Sequence, residues 1–426
     1  MALPWGIKGA WNDSTEKNLH KGLDMLPLGN RKIMSYKLTP DGAKLHTLKQ
    51  GNVRNVQPLD LGALAKGVKS FETKENAKDI DRELRLVSLS FVDSVPYGTV
   101  IGRHGTDMKL PLTKTALQGL LSFTPGLNYR DMDAHWATNE LGEKITSALF
   151  SHCALSQNRD IMIRTADRAD VGTVIRSVHG SGSGASYSPY SNSRMLDGIL
   201  NNASEFAEAP VLSMELYDDY MRLRLATPTK TNNGYQQMKP NDMELRKPIG
   251  TVNLKNSSTG KSAVVAEGGI WTLICTNGIV RYTVEARKTR KHVGDMRRLD
   301  EWYHGAIESI LTSQYGILDQ YEAALSVHVD NISEWTKQAL EAARSAGRYN
   351  FLSDGLIDKV VKQGLHDDTT PQNNSVAQAA QAISLVAQSN SSFENEMLME
   401  ELADWTLRRG LKEANGTDGT IRVALA

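Results

Sequence analysis

From Gly250 to His292 the apolar positions come in short clusters separated by small polar residues. Val252, Val264 and Val265, Ile270, Leu273 and Ile274, then Val280 and Val284 are the anchors. Asn256-Ser257-Ser258, Glu267-Gly268-Gly269 and Asn277-Gly278 are the breaks, so the stretch predicts three or four short strands. Asn-Gly between two apolar runs signals a hairpin, because a type I′ turn needs φ > 0 at both central positions. Leu38-Thr39-Pro40-Asp41-Gly42 gives a turn signal between Ile33–Leu38 and Ala43–Leu48. Leu84–Phe91 and Thr99–Ile101 read as a hairpin with Pro96-Tyr97-Gly98 in its connection. Asp160–Arg164 and Thr173–His179 read as strands, and Val211–Tyr217 and Met221–Leu225 as another hairpin. Thr227–Pro240 is polar and reads as an exposed excursion. Helices are predicted over Pro58–Phe71, Leu112–Phe123 and Arg194–Glu208.

At Arg297 the period changes. Leu299, Trp302, Tyr303, Ala306, Ile307, Ile310 and Leu311 follow the i, i+3, i+4, i+7 rule, and Leu318, Tyr321, Ala324 and Leu325 continue it. After a break near Val329, Ile332, Trp335 and Ala339 resume the pattern. Pro371 suits the first position of a helix running to about Gln388. Ser391 and Glu394 form a capping box for a last helix, with Leu398, Leu402 and Trp405 on one face and Gly410 as its stop.

A β-rich middle followed by helices is an α+β pattern, an antiparallel β-sheet core with flanking helices and a helical C-terminal third. The organisation expected is an N-terminal extension or small subdomain at 1–85, an α+β core domain at 86–296 and a helical C-terminal region at 297–426.

The 426 residues are 40% hydrophobic and 23% charged, with no net charge, which fits a globular protein and excludes a polyelectrolyte. The charge is unevenly spread. Seven Lys and Arg fall between Arg281 and Arg298 against Glu285 and Asp295, whereas beyond Gln320 fifteen acids face nine bases. Such asymmetry points to an anionic ligand on one face, or to association between unlike ends. With two cysteines, no leader pattern and no long apolar run, the chain is expected to be cytoplasmic, reduced and off the membrane. Cys275, in an apolar strand, reads as a small buried hydrophobe.

Several segments resemble the phage/plasmid-like domain-of-unknown-function family 932. Asn256-Ser257-Ser258-Thr259-Gly260-Lys261-Ser262-Ala263, then Trp271 to Cys275-Thr276-Asn277-Gly278, is similar to that family's polar turn and aromatic strand, and His292-Val293-Gly294 to its His-Gly step. Ile163-Arg164 and Val174-Ile175-Arg176, followed by Ser186-Tyr187 and Asn192, resemble its Arg-Ser-Tyr segment, with a Gly/Ser insertion over His179–Ser188. Leu112–Leu120 followed by Tyr129-Arg130 resembles its helix and Tyr-Arg step. The resemblance spans roughly Leu112 to Gly410 and implies a phage or plasmid setting, rich in recombination and replication proteins.

Catalytic motifs do not emerge. Thr259-Gly260-Lys261-Ser262 lacks the earlier P-loop glycine, which is Lys255 here, and a strand follows it instead of a helix. Asp131, Asp133 and His135 alternate as metal ligands on a strand would, without a second cluster to complete a site. Gly182-Ser183-Gly184 lies in a Gly/Ser run that offers no rigid elbow for a nucleophile. The basic run is the strongest candidate. Arg281, Arg287, Lys288, Arg290, Lys291, Arg297 and Arg298 would neutralise phosphates, and Tyr282, Trp302 and Tyr303 lie close enough in sequence to stack on bases. Tyr187 and Tyr190 on the Gly/Ser loop, between Arg176 and Arg194, form a second expected contact set, with Arg164 counted among the contacting cations. The sequence therefore predicts a non-catalytic DNA-binding protein without a cofactor, oligomeric on single-stranded DNA, in annealing, protection or recombination. The competing expectation is a structural or host-interaction protein whose basic strip meets an acidic protein surface, its own C-terminal region included.

Overall fold

The computed structural model describes residues 32–39, 42–47, 53–74, 85–92, 95–101, 107–122, 144–145, 147–148, 161–168, 172–180, 187–188, 190–202, 206, 208–217, 220–227, 229–231, 234–236, 248–260, 262–272, 278–280, 287–347, 349–367, 370–387, 393–415 and 417–423. The fold is α+β. One antiparallel sheet dominates it. In spatial order its strands are β15 (Gly278–Val280), β14 (Val264–Thr272), β13 (Pro248–Asn256), β10 (Met221–Ala226), β9 (Val211–Tyr217), β1 (Lys32–Thr39), β2 (Gly42–Thr47) and β3 (Val53–Val56). A ninth strand, β16 (Arg287–Arg290), pairs with β14 beside β15. The strands β1, β2 and β3, read from the sequence as part of an extension or subdomain, thus extend the main sheet, because β1 pairs with β9.

Side chains of a strand alternate between faces, so the register assigns each residue to a side. Leu223 lies opposite Leu254 and Met214, and Leu254 lies opposite Ala266, which puts the apolar positions of four strands on one face. Three helices cover that face: α1 (Leu61–Lys74), α3 (Asn192–Asn202) and α4 (Met296–Ser326). Leu64 and Val68, Leu196 and Ile199, and Leu299, Tyr303 and Ile307 supply their core contacts.

A smaller part flanks this core. β4 (Arg85–Val92), β5 (Val95–Ile101) and β6 (Asp107–Pro111) form a three-stranded sheet, and β7 (Ile161–Arg168) and β8 (Gly172–Gly180) form a hairpin. Leu112 and Thr113 connect the two, the Thr113 amide donating to the Ile175 carbonyl (2.9 Å) and its hydroxyl to that of Arg176 (2.8 Å). Then α2 (Lys114–Ser122) lies on β8. In the outer hairpin Pro96-Tyr97-Gly98 belongs to β5, opposite Phe91, Ser90 and Leu89, so the connection is shorter than the turn residues suggested. The polar excursion holds a further short hairpin, β11 (Thr229–Thr231) with β12 (Gly234–Gln236).

At 31 residues α4 is roughly 46 Å long and reaches beyond the first core. Asp295 caps its start, accepting from the Arg297 amide (2.9 Å). Its last turns, with Ile317, Tyr321 and Ala324, enter a second core. That core is completed by α5 (Ile332–Ser345), α6 (Asp354–Lys359), α7 (Val376–Ala387) and α8 (Phe393–Ala414). The break predicted near Val329 is real: β17 (His328–Val329) runs parallel to β18 (Thr420–Ile421), and Asn331 then caps α5.

Two helix boundaries differ from those read in the sequence. Pro371 lies before α7, and Ser375 is the residue whose hydroxyl caps it, accepting from Gln378 N (3.2 Å). Gly410 stops nothing, since α8 runs on to Ala414. Glycine is needed there for close packing, because a Cβ would sit 2.5 Å from Val376 Cγ1 and 3.1 Å from the Trp335 indole. Gly410→Ala should therefore lower stability by about 2 kcal/mol through overpacking of α8 against α5 and α7. Urea denaturation followed by circular dichroism checks this, and an unchanged midpoint would contradict it.

Candidate nucleic-acid interface

The second face of the main sheet is charged and buried. On β10 the alternation that turns Met221, Leu223 and Leu225 to the core turns Arg222 and Arg224 the other way. β13 adds Asn253 and Lys255 to that side, and β14 adds Glu267. All five are almost completely shielded from solvent. Burying charges is tolerable only when they are paired. Glu400 of α8 accepts from both Arg222 and Arg224, the latter at 3.0 Å, and Arg224 Nε also donates to Asn253 Oδ1 (2.6 Å). Lys255 pairs with Glu267 (3.0 Å). Burial alone would raise the Glu400 carboxyl, but Arg222 and Arg224 hold it below the ordinary value. Burial lowers the Lys255 ammonium against the pull of Glu267.

The basic run divides at this network. In β16 Arg287 lies opposite Glu267, so it shares the charged face, whereas Lys288 opposite Ala266 and Arg290 opposite Val264 take the other side. Arg287 pairs with Glu401 of α8 (3.0 Å) and approaches Glu267 (3.6 Å), leaving its side chain 29% exposed. Lys288 and Arg290 are half-buried, and Lys291, Arg297 and Arg298 are exposed. None of these five side chains forms an ion pair with a described residue. Arg281 and Tyr282 lie outside the described residues, as do Asp131, Asp133, His135 and both cysteines.

The second expected contact set meets elsewhere. Arg164 of β7 and Arg176 of β8 are buried and grip the turn after β13. Arg164 donates to the Ser258 carbonyl, Tyr187 OH donates to the same oxygen (2.8 Å), and Arg176 donates to Ser258 Oγ (3.0 Å). Tyr187 stacks on His179 with ring centroids 3.8 Å apart, and His292 lies 5.7 Å from Tyr187. Gly260, at φ +72°, closes the turn, where a Cβ would meet the Tyr187 ring at 2.5 Å. Segments distant in the sequence thus form one joint between the β7–β8 hairpin and the main sheet. Alongside it, Tyr190 donates to Asp300 of α4 (2.6 Å) and Arg194 pairs with the same carboxylate (2.9 Å), so the loop before α3 is tied to the start of α4. Trp302 packs half-buried against the first core and Tyr303 is fully buried, which makes both rings structural.

Sequence reasoning missed Glu267, Glu400 and Glu401. It read Glu267-Gly268-Gly269 as a break, whereas the three residues lie inside β14 opposite Asn253, Val252 and Thr251. The available signal was Arg222 and Arg224 alternating with apolar residues in a strand, together with adjacent glutamates in the last helix. Among the described residues no cluster of His, Cys, Asp or Glu has the makings of a metal site, and no helix is long and apolar enough to cross a membrane. Comparison with family models, with curated proteins and with solved structures returns no match.

Burial, with Arg164 and His292 nearby, pushes His179 down to about 4. Burial also pushes His292 to about 4, with the Ser188 backbone opposing and Arg164 adding to the shift. Both imidazoles are neutral in the folded protein and take up protons on unfolding below their ordinary value, so stability falls as pH drops from about 6.5 towards 4. Between pH 7 and 5 the loss should be about 2 kcal/mol per imidazole. Urea midpoints across that range for the wild type and His292→Asn should show a shallower pH dependence in the variant. Parallel curves would contradict the assignment.

Proposed function

We propose that the chain is a non-catalytic single-stranded DNA-binding protein of the phage or plasmid type, acting in annealing, protection or recombination. The observation that carries this reading is the state of the cations between β16 and the first turn of α4. Lys288, Arg290, Lys291, Arg297 and Arg298 are half-exposed or exposed and make no ion pair with a described residue, while the basic residues of the sheet interior are engaged internally. Cations of this kind bind phosphates through counterion release and read no sequence. Arg164, Arg176 and Tyr187 act in this reading by fixing the β7–β8 hairpin to the sheet. Several copies line one strand, and no cofactor takes part.

A second reading has one observation in its favour. Arg287 pairs with Glu401 of α8, so the first member of the basic run already meets a carboxylate of this chain's C-terminal region. In that reading the run binds an acidic partner protein and not DNA.

Fluorescence anisotropy of a labelled strand of ~40 nucleotides, titrated against salt with mass photometry on the same samples, separates the two. The expected result is affinity that falls steeply with salt and discrete multimers on the strand. Replacing Lys288, Arg290, Lys291, Arg297 and Arg298 by Ala should flatten the slope of log K against log salt by up to about 3.5, at ~0.7 per phosphate contact. Absence of binding at low salt would overturn the DNA reading.

A further inference from the structure

We infer that the outer face of the β4–β5–β6 sheet is a second contact surface for a nucleic-acid single strand, taking a base on the Tyr97 ring and a phosphate on Lys109. The inference rests on the nucleic-acid reading and deepens it, because the cations after β16 meet phosphates and leave the bases without a contact. The rings beside those cations are taken up by the fold. Tyr190 and Tyr303 are fully buried, Trp302 packs on the first core, and Tyr187 is stacked on His179.

Tyr97 stands in the central strand of the smaller sheet, and the register defines its neighbours. Ser90 of β4 and Pro111 of β6 lie opposite it, while Ser88 and Lys109 lie opposite Thr99 in the next row. Cross-strand partners share a face, so these residues all point to one side. The intervening row of Leu89, Gly98 and Leu110 points to the other side, where Leu89 and Gly98 are buried. On the outer side Lys109 is exposed, and Ser88, Ser90, Tyr97 and Thr99 are half-buried. The following row, Arg85, Ile101 and Asp107, carries one charge of each sign. Apart from Pro111, the ring is thus surrounded by hydroxyls and a cation, which suits a nucleotide better than the apolar centre of a protein interface.

Lys109 Nζ lies 5.4 Å from the centroid of the Tyr97 ring. Neither side chain forms a hydrogen bond or ion pair with a described residue. An exposed ammonium at that distance holds the ring weakly. Every base has a π face, so any base can stack on the ring, and Lys109 turns on its flexible stem to the adjoining phosphate. The platform is also fixed to the frame of the molecule. β6 runs on through Leu112 and Thr113 to β8, whose Arg176 holds the Ser258 turn of the main sheet.

The test compares two strands of ~40 nucleotides, an oligothymidylate and the same backbone with abasic sites throughout. The wild type should bind the oligothymidylate about five- to a hundred-fold more tightly than the abasic strand, as one stacked base requires. Tyr97→Leu should lose that advantage without changing the slope of log K against log salt, and should match the wild type on the abasic strand. Tyr97→Phe, which keeps the stacking face, should bind like the wild type. Lys109→Ala should flatten the slope by about 0.7 on both strands. Equal affinity of the wild type for the two strands would overturn the inference. So would undiminished oligothymidylate binding by Tyr97→Leu, or a loss by that variant of the same size on the abasic strand. If the wild type binds with a salt-dependent affinity and Tyr97→Leu matches it, only the inference fails; if the wild type binds neither strand at low salt, both fail.

Discussion

The architecture depends on how the charged face of the main sheet is neutralised. An antiparallel sheet with one apolar and one polar face ordinarily leaves the polar face to water. Here Arg222, Arg224, Asn253, Lys255 and Glu267 are covered, and the face is stable only because α8 brings Glu400 to the two arginines while Glu267 meets the lysine. Buried ion pairs are poor sources of stability compared with apolar packing of the same volume, but they are demanding about geometry. The network therefore fixes where the C-terminal helices dock. The placement of α8, the register of β13 against β14 and the orientation of Arg287 are consequences of the same few contacts.

A second constraint works just beyond the C-terminal end of β13. The turn Asn256–Gly260 is gripped by Arg164, Arg176 and Tyr187, and His179 and His292 complete an aromatic layer over it. Guanidinium and phenol groups directed at a backbone carbonyl hold the β7–β8 hairpin against the sheet, while Gly260 allows the ring to approach. Both constraints use internal cations. What they leave over is the strip from Lys288 to Arg298, half-buried at Lys288 and Arg290 and exposed at Lys291, Arg297 and Arg298, where the sheet edge gives way to α4.

Much of the fold was legible in the sequence. The β9–β10 hairpin, the turn between β1 and β2, the sheet-forming character of the stretch after Pro248 and the break between α4 and α5 follow from periodicity and turn residues, whereas β14 is one strand where the sequence suggested two and β16 was read only as a basic cluster. What failed were features set by tertiary contact. Gly410 looked like a helix stop because its reason for being glycine is Val376 on another helix. Glu267-Gly268-Gly269 looked like a turn because its partners, Lys255 and Arg287, lie on neighbouring strands. The site was legible as a run of basic residues, but its division was not, because that depends on which face β16 turns to the network. Arg164, Arg176 and Tyr187 were recognisable as a set without any indication that they clasp a turn about eighty residues away.

Hydrogen–deuterium exchange with and without an oligothymidylate strand of ~40 nucleotides tests most directly whether the free cations form the interface while the buried arginines only hold the frame. The account predicts protection gained over 287–301 and no change over 161–180 or 256–260. Protection appearing at the β7–β8 hairpin and the Ser258 turn, with none along β16 and the start of α4, would contradict it.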